Sequence, residues 1–177
     1  MSQSLSEPLH VHCMCKALFA TVVAPPMFSG YCHCTRCQRR QGAPVGHSPM
    51  FPIPAVKWDN ATKTLDTGNV VPETYKLVSG WDTKTNAPNT SGSGAIECAQ
   101  CGGRVGAYIP QMQAYGLFSA NFERHDASDG AEKEGKIKGW NVLKPTAHSF
   151  YGTRVIDVKD GLKKYEGFAG YSAEVAE

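Results

Sequence analysis

Tyr31-Cys32-His33-Cys34-Thr35-Arg36-Cys37-Gln38-Arg39-Arg40-Gln41-Gly42 is the stretch whose reading decides the fold. Side chains two apart on a strand share a face, so Cys32 and Cys34 point the same way and His33 points to the other. Cys37 follows after a two-residue turn, close enough to reach the same ion. Thiolates at this spacing suit Zn²⁺ at a bond length of ~2.3 Å. Three of them leave one tetrahedral position open, which distinguishes a working zinc from a structural one.

The other four cysteines fall as Cys13-Met14-Cys15 and Cys98-Ala99-Gln100-Cys101-Gly102. Seven is an odd number, so disulfides alone would leave one thiol over, whereas a division into four and three uses every cysteine. Cys13, Cys15, Cys98 and Cys101 then make a closed four-thiolate site. Such a site ties the N-terminal strand to the middle of the chain and contributes folding energy directly. Two readings stay open beside this one. A single zinc can take some four of the seven, with the rest in the core. A histidine among His10, His12, His33, His47 and His148 can fill the fourth position of the triplet. Gly102 suits a metal-binding knuckle, where the backbone needs positive φ and amides approach sulfur.

A chain of 177 residues with 41% hydrophobic and 19% charged residues has the composition of one globular domain. Its formal charge of +2 lacks the basic footprint of a nucleic-acid partner. No apolar run approaches the ~18 residues of a membrane span. Residues 1–12 are polar, without the pattern of a secretory leader. The expected compartment is therefore the cytoplasm, where clustered cysteines argue for metal rather than disulfides.

Helical periodicity is weak throughout, so the class is mostly β. Strands are expected over residues 9–11, 17–23, 27–34, 45–51, 70–78, 96–98, 104–109, 115–122 and 147–158. Residues 35–41 read as a single helical turn ended by Gly42 and Pro44. Residues 79–94, dense in Ser, Thr, Asn and Gly, and the charged residues 123–138 read as surface loops. Residues 166–177 read as a tail. The whole of 1–177 is expected to be one zinc-stabilised domain with its core over about 9–165.

This cysteine pattern resembles the glutathione-dependent formaldehyde-activating enzymes, which share a domain with centromere protein V. The resemblance rests on Cys13-Met14-Cys15, on Cys32 to Ala43, and on Cys98-Ala99-Gln100-Cys101-Gly102. Ala147-His148-Ser149-Phe150 and Asp160-Gly161-Leu162 echo it further. Lys16 stands where the family commonly has glycine. The resemblance implies an Mss4-like fold of folded antiparallel sheets. It also implies a structural zinc on Cys13, Cys15, Cys98 and Cys101, and a catalytic zinc on Cys32, Cys34 and Cys37. The implied reaction is carbon–sulfur lyase chemistry, joining glutathione to formaldehyde as S-(hydroxymethyl)glutathione. The expected partners are a small-molecule thiol and a carbonyl compound, with two zinc ions per chain and glutathione as co-substrate.

On that reading Arg36, Arg39 and Arg40 offset the charge of the thiolates or grip glutathione carboxylates bidentately. Gln41 and Gly42 line the pocket, and His148 carries a proton near neutral pH. Tyr31, Phe51, Tyr115 and Phe118 form either an apolar wall or core. The alternatives are the same scaffold acting on another detoxification or specialised-metabolism substrate, or a zinc module without catalysis.

Overall fold

The computed structural model describes residues 5–82 and 85–176. Its strands, in chain order, begin with β1 (Leu9–His12), β2 (Phe19–Val22), β3 (Tyr31–Cys32), β4 (Gly46–His47), β5 (Met50–Pro52) and β6 (Val56–Trp58). The hairpin β7 (Lys63–Thr64) and β8 (Val70–Val71) follows, then β9 (Tyr75–Ser79), β10 (Trp81–Asp82) and β11 (Ala87–Pro88). The last are β12 (Gly94–Cys98), β13 (Arg104–Ile109), β14 (Ala114–Leu117), β15 (Ala147–Ser149) and β16 (Lys163–Lys164). Among the described residues there are two α-helices, α1 (Thr35–Gln41) and the single turn α2 (Trp140–Leu143). The fold is mostly β, built from several antiparallel sheets, as the weak helical periodicity implied.

Three sheets matter for position. Strands β1, β2 and β6 form one, β5-β14-β13-β12-β9 form the largest, and β16-β15-β3-β4 form the third. Alternation makes β1 and β2 a hairpin: Leu9 and Val11 are buried on one face with Ala20 and Val22, while His10 and His12 stay half-buried. Those residues pack with Phe51, Trp58, Tyr75, Ile96, Val105, Tyr115 and Leu117 in one core. Cys13 and Cys98 belong to that same core, so one cysteine of each distant pair is placed by ordinary apolar burial.

Several expected elements differ from the observed ones. The third sheet is not antiparallel throughout: β15 runs parallel to both β3 and β16. The strand expected over 147–158 ends at Ser149, because Phe150 takes φ 57° and starts a 3-10 turn, Tyr151–Thr153. The strand expected over 27–34 shrinks to Tyr31–Cys32, with one isolated bridge from Phe28 to Met50. Within 79–94 the chain forms the hairpin β10–β11; residues 83–84 of that expected loop lie outside the described residues. The C-terminal stretch is anchored by β16 and by a bridge from Tyr165 to Glu174, so it is less of a tail than its composition suggested. Residues 35–41 are helical with Gly42 at φ 61° as the cap, as read from the sequence.

Candidate functional site

Two chain reversals bring the distant cysteine pairs together. After Cys13 the amides of Leu18 and Lys16 close the β1–β2 turn, with Cys13 N–H donating to Leu18 O at 3.0 Å and Lys16 N–H to Cys13 O at 3.1 Å. After Cys98 the chain does the same, with Gly102 N–H donating to Cys98 O at 2.8 Å and Cys98 N–H to Gly103 O at 3.0 Å. The residue following each pair is left-handed: Lys16 at φ 61° and Gly102 at φ 68°. Glycine accepts that conformation freely and lysine does not.

The sulfurs of Cys13, Cys15, Cys98 and Cys101 all lie within 4.8 Å of one another. Cys13 Sγ is 3.6 Å from Cys15 Sγ, and Cys15 Sγ is 3.9 Å from Cys98 Sγ. Sulfurs bound to one tetrahedral zinc stand ~3.8 Å apart, given the Zn–S bond length. The spacing therefore fits a shared ion and is far too long for a disulfide. Leu18 N–H donates to Cys13 Sγ at 3.3 Å, an amide already aimed at sulfur. Burial pushes the Cys13 thiol up to about 12, while the Cys15 and Gly103 amides draw Cys101 down to about 6.

The sulfurs of Cys32, Cys34 and Cys37 also fall within 4.8 Å of one another, and all three residues are half-buried. Strand β3 supplies Cys32. Cys34 is the cap of α1, its sulfur accepting from Cys37 N–H at 3.3 Å. Without a cation such a trio can carry only one negative charge comfortably. Donation from the Cys32 and Cys37 thiols pulls Cys34 down to about 2, and the same interaction with Cys34 pushes Cys32 well above the usual thiol range. A divalent cation removes that conflict by ionising all three, so the donor set fits zinc. Both cysteine clusters thus suit the metal, one closed and one a ligand short.

A cleft of about 620 Å³ is lined by Arg40, Gln41, Glu97, Gly102, Arg104, Phe118, Ala120 and Asn121. One turn of α1 separates Cys37 from Arg40, and the guanidinium feels the charge of both Cys37 and Cys34. Among the described residues Arg40 has no carboxylate partner. It is a half-buried cation whose burial lowers it, and the Cys37 and Cys34 sulfurs favour its charged form. Arg104 Nε pairs with Glu97 Oε1 at 2.7 Å across strands β12 and β13, and Arg104 Nη1 donates to the carbonyl of Arg40. None of the seven cysteines lines this cleft or the roomier one of about 730 Å³ near Lys133, Lys136 and Trp140; the smaller is tied to the triplet through Arg40 and to the four-cysteine cluster through Gly102.

The structure thus separates the sequence-selected residues. Arg40 and Gln41 line the cleft; Arg36, Arg39 and Gly42 are exposed and do not. Phe118 is the aromatic that reaches the cleft wall, whereas Phe51 and Tyr115 are core. His148 is fully buried: Nδ1 is 2.8 Å from His33 Nε2, and Nε2 is 2.9 Å from Asp160 Oδ2. A proton carrier must touch the substrate, and both nitrogens of this buried ring are already hydrogen-bonded, one to His33 and one to Asp160. His33, one residue past β3, is not among the ligand atoms gathered with the three thiols, and burial then the nearby His148 lower it to about 4. Glu97, Arg104 and Asn121 escaped the sequence reading. The first two flank the Cys98–Cys101 pair, and their opposite charges either side of a knuckle were the available signal.

The family model described as glutathione-dependent formaldehyde-activating enzyme matches residues 8–151, most of the chain. No curated protein matches it.

Proposed function

We propose that this chain, which belongs to the glutathione-dependent formaldehyde-activating enzyme family, is a zinc-dependent carbon–sulfur lyase or synthase. Its substrate is a thiol–carbonyl adduct such as S-(hydroxymethyl)glutathione. In this reading Cys13, Cys15, Cys98 and Cys101 hold a structural zinc, and Cys32, Cys34 and Cys37 hold the catalytic one. Bound to three thiolates, zinc supplies an open position at which a thiol loses its proton near neutral pH.

The observation that carries this reading is Arg40, a half-buried guanidinium without a carboxylate partner among the described residues, which feels the triplet and lines the cleft. Four thiolates on a divalent ion carry a local charge of −2, which is costly in a half-buried site without a cation beside it. Arg40 offsets that charge and presents a fork for a substrate carboxylate. Arg104, oriented by Glu97 and by the Arg40 carbonyl, adds a second cation at the same rim. Gln41 and Asn121 offer amides for the peptide-like groups of glutathione. Phe118 closes the cleft with an apolar face.

A second reading keeps the chemistry and changes the substrate. Gly80, in segment 79–94, lies close to this same arginine: a Cβ built there would meet Asn89 Nδ2 and come within 3.4 Å of Arg40 Nη2. An insertion that shapes the rim selects the thiol or the carbonyl before it alters the fold. The test is a screen of aldehydes and ketones with and without glutathione, followed by ¹H NMR of the adduct. The proposal expects thiol-dependent adduct turnover in the wild type and none in Cys34→Ser. Turnover that persists in Cys34→Ser, or salt-dependent nucleic-acid binding with no turnover, would contradict it.

A further inference from the structure

Beneath the three-cysteine cluster lies a row of three polar side chains that the proposed chemistry does not use. Asp160 Oδ2, His148 Nε2, His148 Nδ1 and His33 Nε2 form a continuous line, with contacts of 2.9 Å and 2.8 Å. Both rings are 0% exposed. The far end, His33 Nδ1, is buried and has no hydrogen-bond partner among the described residues. Asp160 lies beyond the residues that the family model matches.

Elementary donor and acceptor rules give this row a direction. A carboxylate only accepts, so His148 Nε2 carries a proton and donates to Asp160. In a neutral ring Nδ1 is then a lone pair, and it accepts from His33 Nε2–H. His33 Nδ1 is left as a bare lone pair. Asp160 is itself fixed, its other oxygen accepting from Leu162 N–H at 3.1 Å.

His33 is the residue between Cys32 and Cys34, and its backbone is held as tightly as its ring. Its N–H donates to Ser149 O at 2.9 Å. Its carbonyl accepts from Gln38 Nε2 at 2.6 Å and from Thr153 Oγ1 at 2.9 Å. A ring locked to His148 between the two cysteines therefore sets how the flanking thiols present themselves.

We propose that Asp160, at the surface, and the buried rings of His148 and His33 form a strut of fixed hydrogen-bond polarity that positions Cys32 and Cys34 for their metal. Asp160 is a positioning residue that acts through two rings without touching the ion. Partners of this outer kind typically alter metal affinity by ~10–100-fold when removed.

The first test needs no substitution. In ¹⁵N-histidine-labelled protein, two-bond ¹H–¹⁵N spectra should show both His148 and His33 protonated at Nε2 and bare at Nδ1. A proton on His33 Nδ1 would overturn the assigned polarity and the proposal with it. The second test uses Co²⁺ as the probe, read by thiolate-to-cobalt absorption and chelator competition. Asp160→Ala should weaken the three-cysteine site by about tenfold or more while leaving the four-cysteine site unchanged. Asp160→Asn retains an acceptor oxygen and should restore both the histidine spectrum and the affinity. Equal weakening of both sites, or no weakening of either, would show that the row merely fills the interior. Neither readout depends on which substrate the protein turns over.

Discussion

The two cysteine clusters use the same ligand atom and are built in opposite ways. One joins two reversals distant in sequence, with Cys13 and Cys98 sunk in the main core and Cys15 and Cys101 at the surface. The other is local, with three half-buried thiols from one short strand and the turn of helix that follows. The first cluster contributes four sulfurs, so it can satisfy a tetrahedral ion without help. The second contributes three, and Arg40, one helical turn from Cys37 and without a carboxylate partner among the described residues, lines a cleft. The difference teaches that closure, rather than the number of cysteines nearby, separates a metal that holds the fold from one that is free to react.

The comparison breaks most visibly at Cys98. Cys98→Ser should remove a linkage worth on the order of 10 kcal/mol with its metal, leaving no cooperative thermal transition by calorimetry. Cys34→Ser should instead keep the fold, with a melting temperature within about 2–4 °C of wild type, yet bind one zinc fewer and lose turnover. If both variants melt alike, the two clusters do not differ in kind.

Arg40→Ala sharpens the contrast within the second cluster. Loss of one charge-assisted contact of about 1.5–3 kcal/mol predicts a rise in KM for the thiol of roughly 10–100-fold. Arg36→Ala and Arg39→Ala, both exposed and outside the cleft, should leave KM unchanged in the same steady-state assay.

Acid offers a smaller test on the sheet that carries Cys32. His47 lies opposite Tyr31 on β4, and burial lowers it to about 4 from an ordinary 6.5. The unfolded state therefore binds the extra proton first. The contribution of His47 is complete above pH 6.5 and falls away as pH drops through 6.5 towards 4, on the order of 2 kcal/mol after allowing for its partial exposure. Urea titrations of wild type and His47→Asn should diverge in slope across that window; parallel slopes would remove His47 from the account.

The smallest effect belongs to the first cluster. Lys16 holds φ 61° where its counterpart after Cys101 is a glycine. Lys16→Gly relieves that strain and adds freedom to the unfolded chain, so stability should change by less than about 1 kcal/mol. A large gain would mean that the knuckle carries more strain than its dihedral suggests.

Much of this was legible in the sequence, for reasons that differ by region. Spacing alone brought out α1, its Gly42 cap and the grouping of seven cysteines, because i, i+2 and turn geometry act over a few residues. The parallel pairing of β15 with β3 was not legible, since it joins chain segments more than 100 residues apart. The same long-range pairing hid the Asp160–His148–His33 row and turned His148 inward. Glu97 and Arg104 were hidden differently: a charged residue beside a knuckle reads as solvated surface until the strand register sets it against its partner.

The most direct test of the central claim is the zinc content per chain by native mass spectrometry, with and without glutathione. Two zinc ions are predicted, one readily removed by a chelator and one retained, with a glutathione adduct seen on the two-zinc form alone. A single tightly held zinc, indifferent to glutathione, would contradict the account and reduce the second cluster to three thiols at the end of a strand.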